Sequence, residues 1–191
     1  MRPLDIRKYN PGGQPKMRSR AGGMNGLIIP FDIWRQTPKT KITILCAGEK
    51  DMAVARSHGF NAITLTGGEL ETPCCLAEFA DRTVAICYDN DEAGKTGALK
   101  VAQRLYQTAK QVKIVTGFHE ICTERGEDIT DFFNKYHKTK ADLIRYIEAT
   151  PVYAPAPEEQ NACYPIVDLY TASTAKFVNR LVRSNIQVVA V

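Results

Sequence analysis

Apolar residues in the middle of the chain come in short runs with polar turns between them. Lys41 to Cys46 (KITILC), Asn61 to Thr66 (NAITLT), Val84 to Cys87 and Val112 to Thr116 (VKIVT) have the length and residue types of buried strands. Helical patterns fill the gaps. Met52 to Ser57 follows Asp51, a candidate N-cap. Thr72-Pro73 opens a predicted helix running to Ala80, with proline in a favoured early position. Glu92 to Thr108 puts Ala98, Val101, Ala102 and Leu105 on one face. Strands alternating with helices predict a parallel sheet covered on both faces, with right-handed crossovers. The turns 46–51, 66–69, 88–92 and 116–128 then open on one edge of that sheet, and they carry most of its Gly, Asp and Glu.

The flanks extend this picture. Leu27 to Phe31 predicts a short strand stopped by Pro30, with Trp34 packing beyond it. After Gly126, Asp131 is a candidate helix cap, Phe132 and Phe133 anchor the segment to the core, and Asp128 stays near the active edge. Residues 140–149 (KADLIRYIEA) predict an amphipathic helix. The expected organisation is a basic segment over 1–39, an α/β domain over 40–150, a Pro-rich linker over 151–163, and over 164–191 the start of a further domain cut from a longer chain.

Composition adds exclusions. No apolar run nears the roughly 18 residues of a membrane span, and there is no signal-peptide core, so a cytoplasmic protein is expected. The 6 cysteines have no CxxC spacing, which argues against a zinc knuckle, and Cys46 and Cys87 fall in strand patterns as core fillers. The three histidines fit no metal spacing. A net charge of +4 permits a polyanionic partner without demanding one. In the first 26 residues, Arg2, Arg7, Lys8, Lys16, Arg18 and Arg20 face the single acid Asp5, with Tyr9 among them. Such a segment either tracks a phosphate backbone, with the aromatic stacking on a base, or is a solvated terminus.

The densest chemistry follows the Val84–Cys87 run: Tyr88-Asp89-Asn90-Asp91, then a helix start. Side chains two apart on extended chain point the same way, so Asp89 and Asp91 would converge at the strand's carboxyl end. That is where ligands bind in open α/β sheets. Close carboxylates repel unless a cation lies between them, and hard oxygens beside a helix N-terminus suit magnesium and phosphate. The plainer alternative is a turn whose Asp91 only caps the helix. Ala93-Gly94-Lys95-Thr96 is not a P-loop, because Asp89 stands where that motif needs its first glycine. Lys95 is then a point charge for phosphate or, more simply, a solvated first-turn lysine. Glu69 follows a glycine turn on the same edge and is a lesser candidate for metal or nucleotide.

ILCAGEKDM, LTGGE and CYDNDEAGKTGA, in this order after the first three strands, resemble the Toprim domain. Bacterial primases, primase-helicases, topoisomerases, recombination proteins and some nucleases share it. GEDITDFF resembles the segment that closes the domain in primases, and LIIPFDIW the end of the primase subdomain before it. Primases and primase-helicases of phages and other mobile elements fit the pattern best. The resemblance spans about residues 40–135 and implies a Toprim-like four-stranded parallel sheet with helices on both faces. It also implies a DNA primase: magnesium- or manganese-dependent nucleotidyl transfer making short RNA primers on single-stranded DNA from nucleoside triphosphates, with a replicative helicase, fused or separate, as a further partner. Asp89 and Asp91 match the family's metal-binding pair and Asp128 a further metal acid. Lys16, Arg18 and Arg20 would lie on template phosphates, and Lys50, Lys95, Gly67 and Gly68 against nucleotide or nucleic acid.

One position departs from the family. Its first turn reads EGxxD, and this chain has Ala47 in place of the glutamate, a general base or metal-associated acid. Either Glu49 swings in as a catalytic substitute about Gly48, or the site holds metal and catalyses weakly or not at all. The rival functions are a nucleic-acid- and metal-binding module with no chemistry, and a phosphodiester-cleaving relative of the topoisomerase or nuclease kind.

Overall fold

Residues 34, 36–73 and 76–156 are described in a computed structural model of the chain, together with the backbone of 8–9, 17–18 and 27–28. The chain divides into units 1–155 and 156–191, and the second is described only at its first residue. Strands β1 (Lys8–Tyr9) and β2 (Met17–Arg18) pair antiparallel. A larger sheet contains β3 (Leu27–Ile28), β4 (Thr43–Cys46), β5 (Asn61–Leu65), β6 (Thr83–Cys87) and β7 (Gln111–Ile114), in the order β3-β5-β4-β6-β7. The last four are parallel, and β3 adds an antiparallel edge to β5.

Two-residue periodicity divides the core between the sheet's faces. Ile44, Cys46, Ala62, Ala85 and Cys87 pack with residues of α1 (Glu49–Ser57), α3 (Ile129–Asn134) and α4 (Lys140–Ala149). Leu45, Ile63, Leu65, Val84 and Ile86 pack on the other face with α2 (Glu92–Leu105), whose Ala98, Val101, Ala102 and Leu105 are buried as its pattern predicts. Strands buried on both faces account for the near-continuous apolar runs. Trp34 closes the α2 face at 2% exposure. Its indole N–H donates to Glu78 Oε2 at 2.8 Å, and the Arg82 guanidinium lies 4.0 Å over its ring.

Three local expectations are corrected. Helix α1 starts at Glu49 behind an extended Gly48, so Asp51 is not its N-cap but a buried residue of its first turn. The described residues of the Thr72–Ala80 segment make no α-helix. They form only a 3₁₀ turn, Leu76–Phe79, because Phe79 goes straight into the core and leaves too little chain. Asp128, not Asp131, caps α3, and Asp131 reciprocates from the third helical position. Among the described residues no helix is long and apolar enough to cross a membrane.

The topology fixes where a ligand can sit. From β4 the chain crosses to β5 on one side, and from β6 to β7 on the other. β4 and β6 are neighbours in register, with Cys46 opposite Cys87. Their carboxyl ends therefore flank the switch point, where the turns that follow diverge and leave a crevice.

Candidate metal centre

Asp51, Asp89 and Asp128 meet at this crevice, each offering one carboxylate oxygen within 4.8 Å of the others. Each comes from a different turn. Asp51 points in from the first turn of α1, one helical turn beyond the end of β4. Asp89 is the second residue after β6. Asp128 is held twice: its Oδ1 accepts the N–H groups of Thr130 at 2.7 Å and Asp131 at 3.0 Å, and its Oδ2 accepts from Lys50 Nζ at 2.7 Å. Asp51 Oδ1 accepts from Thr130 Oγ1 at 2.5 Å.

The Asp89 turn is bound to the 117–128 segment by backbone and side-chain hydrogen bonds. Asn90 N–H donates to Glu127 O at 2.9 Å, Gly126 N–H to Asn90 O at 3.1 Å, and Asn90 Nδ2 to Cys122 O at 2.8 Å. His119 Nε2 lies 3.0 Å from Tyr88 O. These contacts bring Asp128 alongside Asp89, although the two are far apart in sequence.

The electrostatics are those of a crowded anionic site. Burial pushes the Asp89 carboxyl up to about 7, helped by the charges of Glu69, Asp51, Asp128 and Asp91. Burial likewise lifts Asp51 to about 6; the Thr130 hydrogen bond opposes this, Asp128 adds to it, and Lys50 opposes it. Asp89 Oδ1 and Glu69 Oε2 are buried with no hydrogen-bond partner. An orphaned carboxylate oxygen among like charges is costly, and a divalent cation would relieve it. Hard oxygens from three carboxylates are the donor set that magnesium and manganese accept. The residues present therefore fit a divalent metal.

Asp91 stands outside this triad. It caps α2, with Oδ1 accepting Gly94 N–H at 2.8 Å, while its charge still reaches Asp89 and Glu69. Glu49 is exposed on the first turn of α1 and is not one of the converging carboxylates. Lys50 lies 4.0 Å from Asp51 Oδ1 as well as bonded to Asp128, so its ammonium half-fills the role of a counter-cation. Lys95 pairs with Glu92 at 3.3 Å and borders a cleft of about 110 Å³ with Tyr88, Asp89, Thr116 and His119. Gly67 starts the 3₁₀ turn Gly68–Leu70, and Gly68 has φ +65°, a conformation that favours glycine. Lys16 and Arg20 lie outside the described residues, and Arg18 is described only as backbone in β2.

Sequence reasoning missed Asp51 as a candidate site residue. Capping α1 at Gly48 would have found it, because residue 51 then lies in the first turn of the helix.

The Toprim domain family matches residues 41–116. This stretch is a Toprim domain. Its matched limits run from the entry of β4 to just past β7, so the Toprim segment contains Asp51 and Asp89 but not Asp128. A comparison with curated proteins finds no match. Among solved structures, the Aquifex aeolicus primase (zinc-binding and RNA polymerase domains) aligns with a TM-score of 0.56 at 20% identity over 78% of this chain. The chain spans 38% of that primase's length. The primase fragment of the bacteriophage T7 primase-helicase aligns with a TM-score of 0.40 at 15% identity, over 60% of this chain and 46% of that one. The Toprim fold with helices on both faces is thus common to this chain and the Aquifex primase.

Proposed function

We propose that this chain is the Toprim-bearing part of a DNA primase that makes short RNA primers on single-stranded DNA from nucleoside triphosphates. The observation that carries this reading is the meeting of Asp51, Asp89 and Asp128 at the switch point, with Asp89 Oδ1 buried and unpartnered. Asp89, Asp51 and Asp128 would hold magnesium or manganese, with Asp91 contributing through its charge. When bound, the metal supplies neutralisation of charge on the triphosphate.

The chain's own residues do the rest. The backbone ties from Asn90 to Gly126 and Glu127, and its side-chain amide bond to Cys122 O, keep two of the carboxylates in fixed relation. Lys50, on the rim at 64% side-chain exposure, would exchange Asp128 for an incoming phosphate. Lys95 offers a second exposed charge beside the cleft. Lys16, Arg18 and Arg20 are proposed contacts to template phosphates, supplying affinity and salt sensitivity, not sequence choice. A replicative helicase, fused or separate, is the proposed protein partner.

The test is primer synthesis on a single-stranded template with labelled ribonucleotides, using the intact parent protein. Product that requires magnesium or manganese and is lost in Asp89→Asn is expected. Absence of product under both metals overturns the enzymatic assignment. One observation favours a second reading, a metal- and nucleic-acid-binding module with weak chemistry: Ala47 is a buried apolar residue where the family has its acid, and Glu49 is turned to solvent. That reading expects metal and single-stranded DNA binding without product.

A further inference from the structure

Residue 47 is an alanine, and the turn that packs on it carries a carboxylate, Glu69. The turn after β5 folds directly over the end of β4: a Cβ on Gly68 would lie 3.0 Å from the carbonyl oxygen of Ala47. The same turn is pressed against α2. A Cβ on Gly97 would lie 2.1 Å from the carbonyl oxygen of Glu69, so only glycine there admits the turn this closely. Glu69 is thereby held between residue 47 and the start of α2.

Its side chain turns inward, with Oε2 buried and unpartnered. Burial raises its carboxyl above the usual range, and the charges of Asp91 and Asp51 raise it further. Tyr88, at 3% exposure, also has a hydroxyl without a partner and feels the charge of Glu69. Ala47 and Tyr88 belong to one packed cluster, on the sheet face that α2 covers.

We infer that Glu69 supplies, from the second turn, the metal-associated carboxylate that the Toprim first turn has lost at Ala47. It would act beside Asp89, whose carboxyl feels its charge, at the edge of the set of Asp51, Asp89 and Asp128. This rests on the metal-binding reading above and adds a residue to it.

The test uses calorimetric titration of manganese into the full chain, with melting temperatures measured with and without the metal. Glu69→Gln keeps the side chain's shape and removes its charge. It should weaken manganese binding about tenfold, raise the melting temperature of the metal-free protein, and shrink the metal-induced rise. Ala47→Glu in the Glu69→Gln background should recover most of the lost affinity, and should add much less in the unaltered chain. A packing role for Glu69 would show no such rescue. Wild-type affinity in Glu69→Gln, or an equal effect of Ala47→Glu in both backgrounds, overturns the assignment. If Asp89→Asn abolishes binding while Glu69→Gln does not, the metal centre stands and Glu69 is excluded from it. If the unaltered chain binds no manganese, both fall.

Discussion

Asp128 shows how one residue can serve fold and site with different atoms. Its Oδ1 caps α3 and its Oδ2 faces the crevice, where Lys50 holds it. Asparagine is as good an N-cap as aspartate, so Asp128→Asn should leave the melting temperature nearly unchanged while lowering manganese affinity. Asp128→Ala should lose both, with about 1 kcal/mol of stability going with the cap. Equal stability of the two variants in thermal unfolding would show that the cap is immaterial. Lys50 gives an opposite pair of signs. Burial works against its charge, but the hydrogen bond and charge of Asp128 hold its ammonium above the usual range. Lys50→Met removes a competitor for the cation site, so manganese should bind several-fold more tightly. The metal-free chain should lose no more than about 1 kcal/mol, because the pair is largely solvent-facing on the lysine side. Weaker manganese binding in this variant would mean that Lys50 assists the cation and does not compete with it.

At the scale of elements, the two glycines that open α2 determine how closely the turns can approach. A Cβ at Gly94 would lie 2.3 Å from the carbonyl oxygen of Asp89, and one at Gly97 2.1 Å from that of Glu69. Gly97→Ala gains up to about 1 kcal/mol of helix propensity. The clash is with backbone, which cannot swing aside, and overpacking of this kind costs about 1–3 kcal/mol. A net loss of about 1–2 kcal/mol is expected in denaturant unfolding, with weaker manganese binding because the Glu69 turn is displaced. Unchanged stability would mean the turn is free to move. The same elements show what could be read without coordinates. Four strand patterns and the α2 face were legible, because strands buried on both sides leave uninterrupted apolar runs and helices leave a stripe. The edge where the acidic turns open was legible from alternation alone. The identity of the third acid was not: whether Asp51 caps α1 or points into the crevice depends on a three-residue shift of the helix cap, from Asp51 to Gly48. Nor could spacing reveal that Asn90 would tie its turn to Glu127 and Cys122, since those bonds depend on the tertiary approach of two loops.

For the whole molecule, the crowded carboxylates should be visible as a pH dependence of stability. In the unfolded chain Asp51 and Asp89 release their protons near pH 4; in the folded chain they hold them to about 6 and about 7. Between those limits the native state carries more protons than the unfolded one, so stability falls as pH rises from 4 to 7 and is flat above. His119 acts in the other direction. Burial lowers its pKa, so it favours the folded state most when neutral and removes part of the gain below about pH 6.5. Two displaced carboxylates outweigh one imidazole, and the metal-free chain should melt several degrees higher at pH 5.5 than at pH 8. At the acid end the trend reverses. Asp142, held down at about 2 by hydrogen bonds from Thr139, contributes stability above pH 4 that is lost as pH falls towards 2. Saturating manganese should flatten or invert the slope between pH 5.5 and 8, because the cation binds the deprotonated cluster and stabilises the fold most where the metal-free protein is weakest. The measurement is a set of melting curves across pH, with and without metal, for the chain and for Asp89→Asn. The variant should lose much of the slope and most of its response to manganese. A metal-free stability that rises steadily from pH 5.5 to 8 would mean that the carboxylates do not meet as described, and that their repulsion is not what a cation relieves.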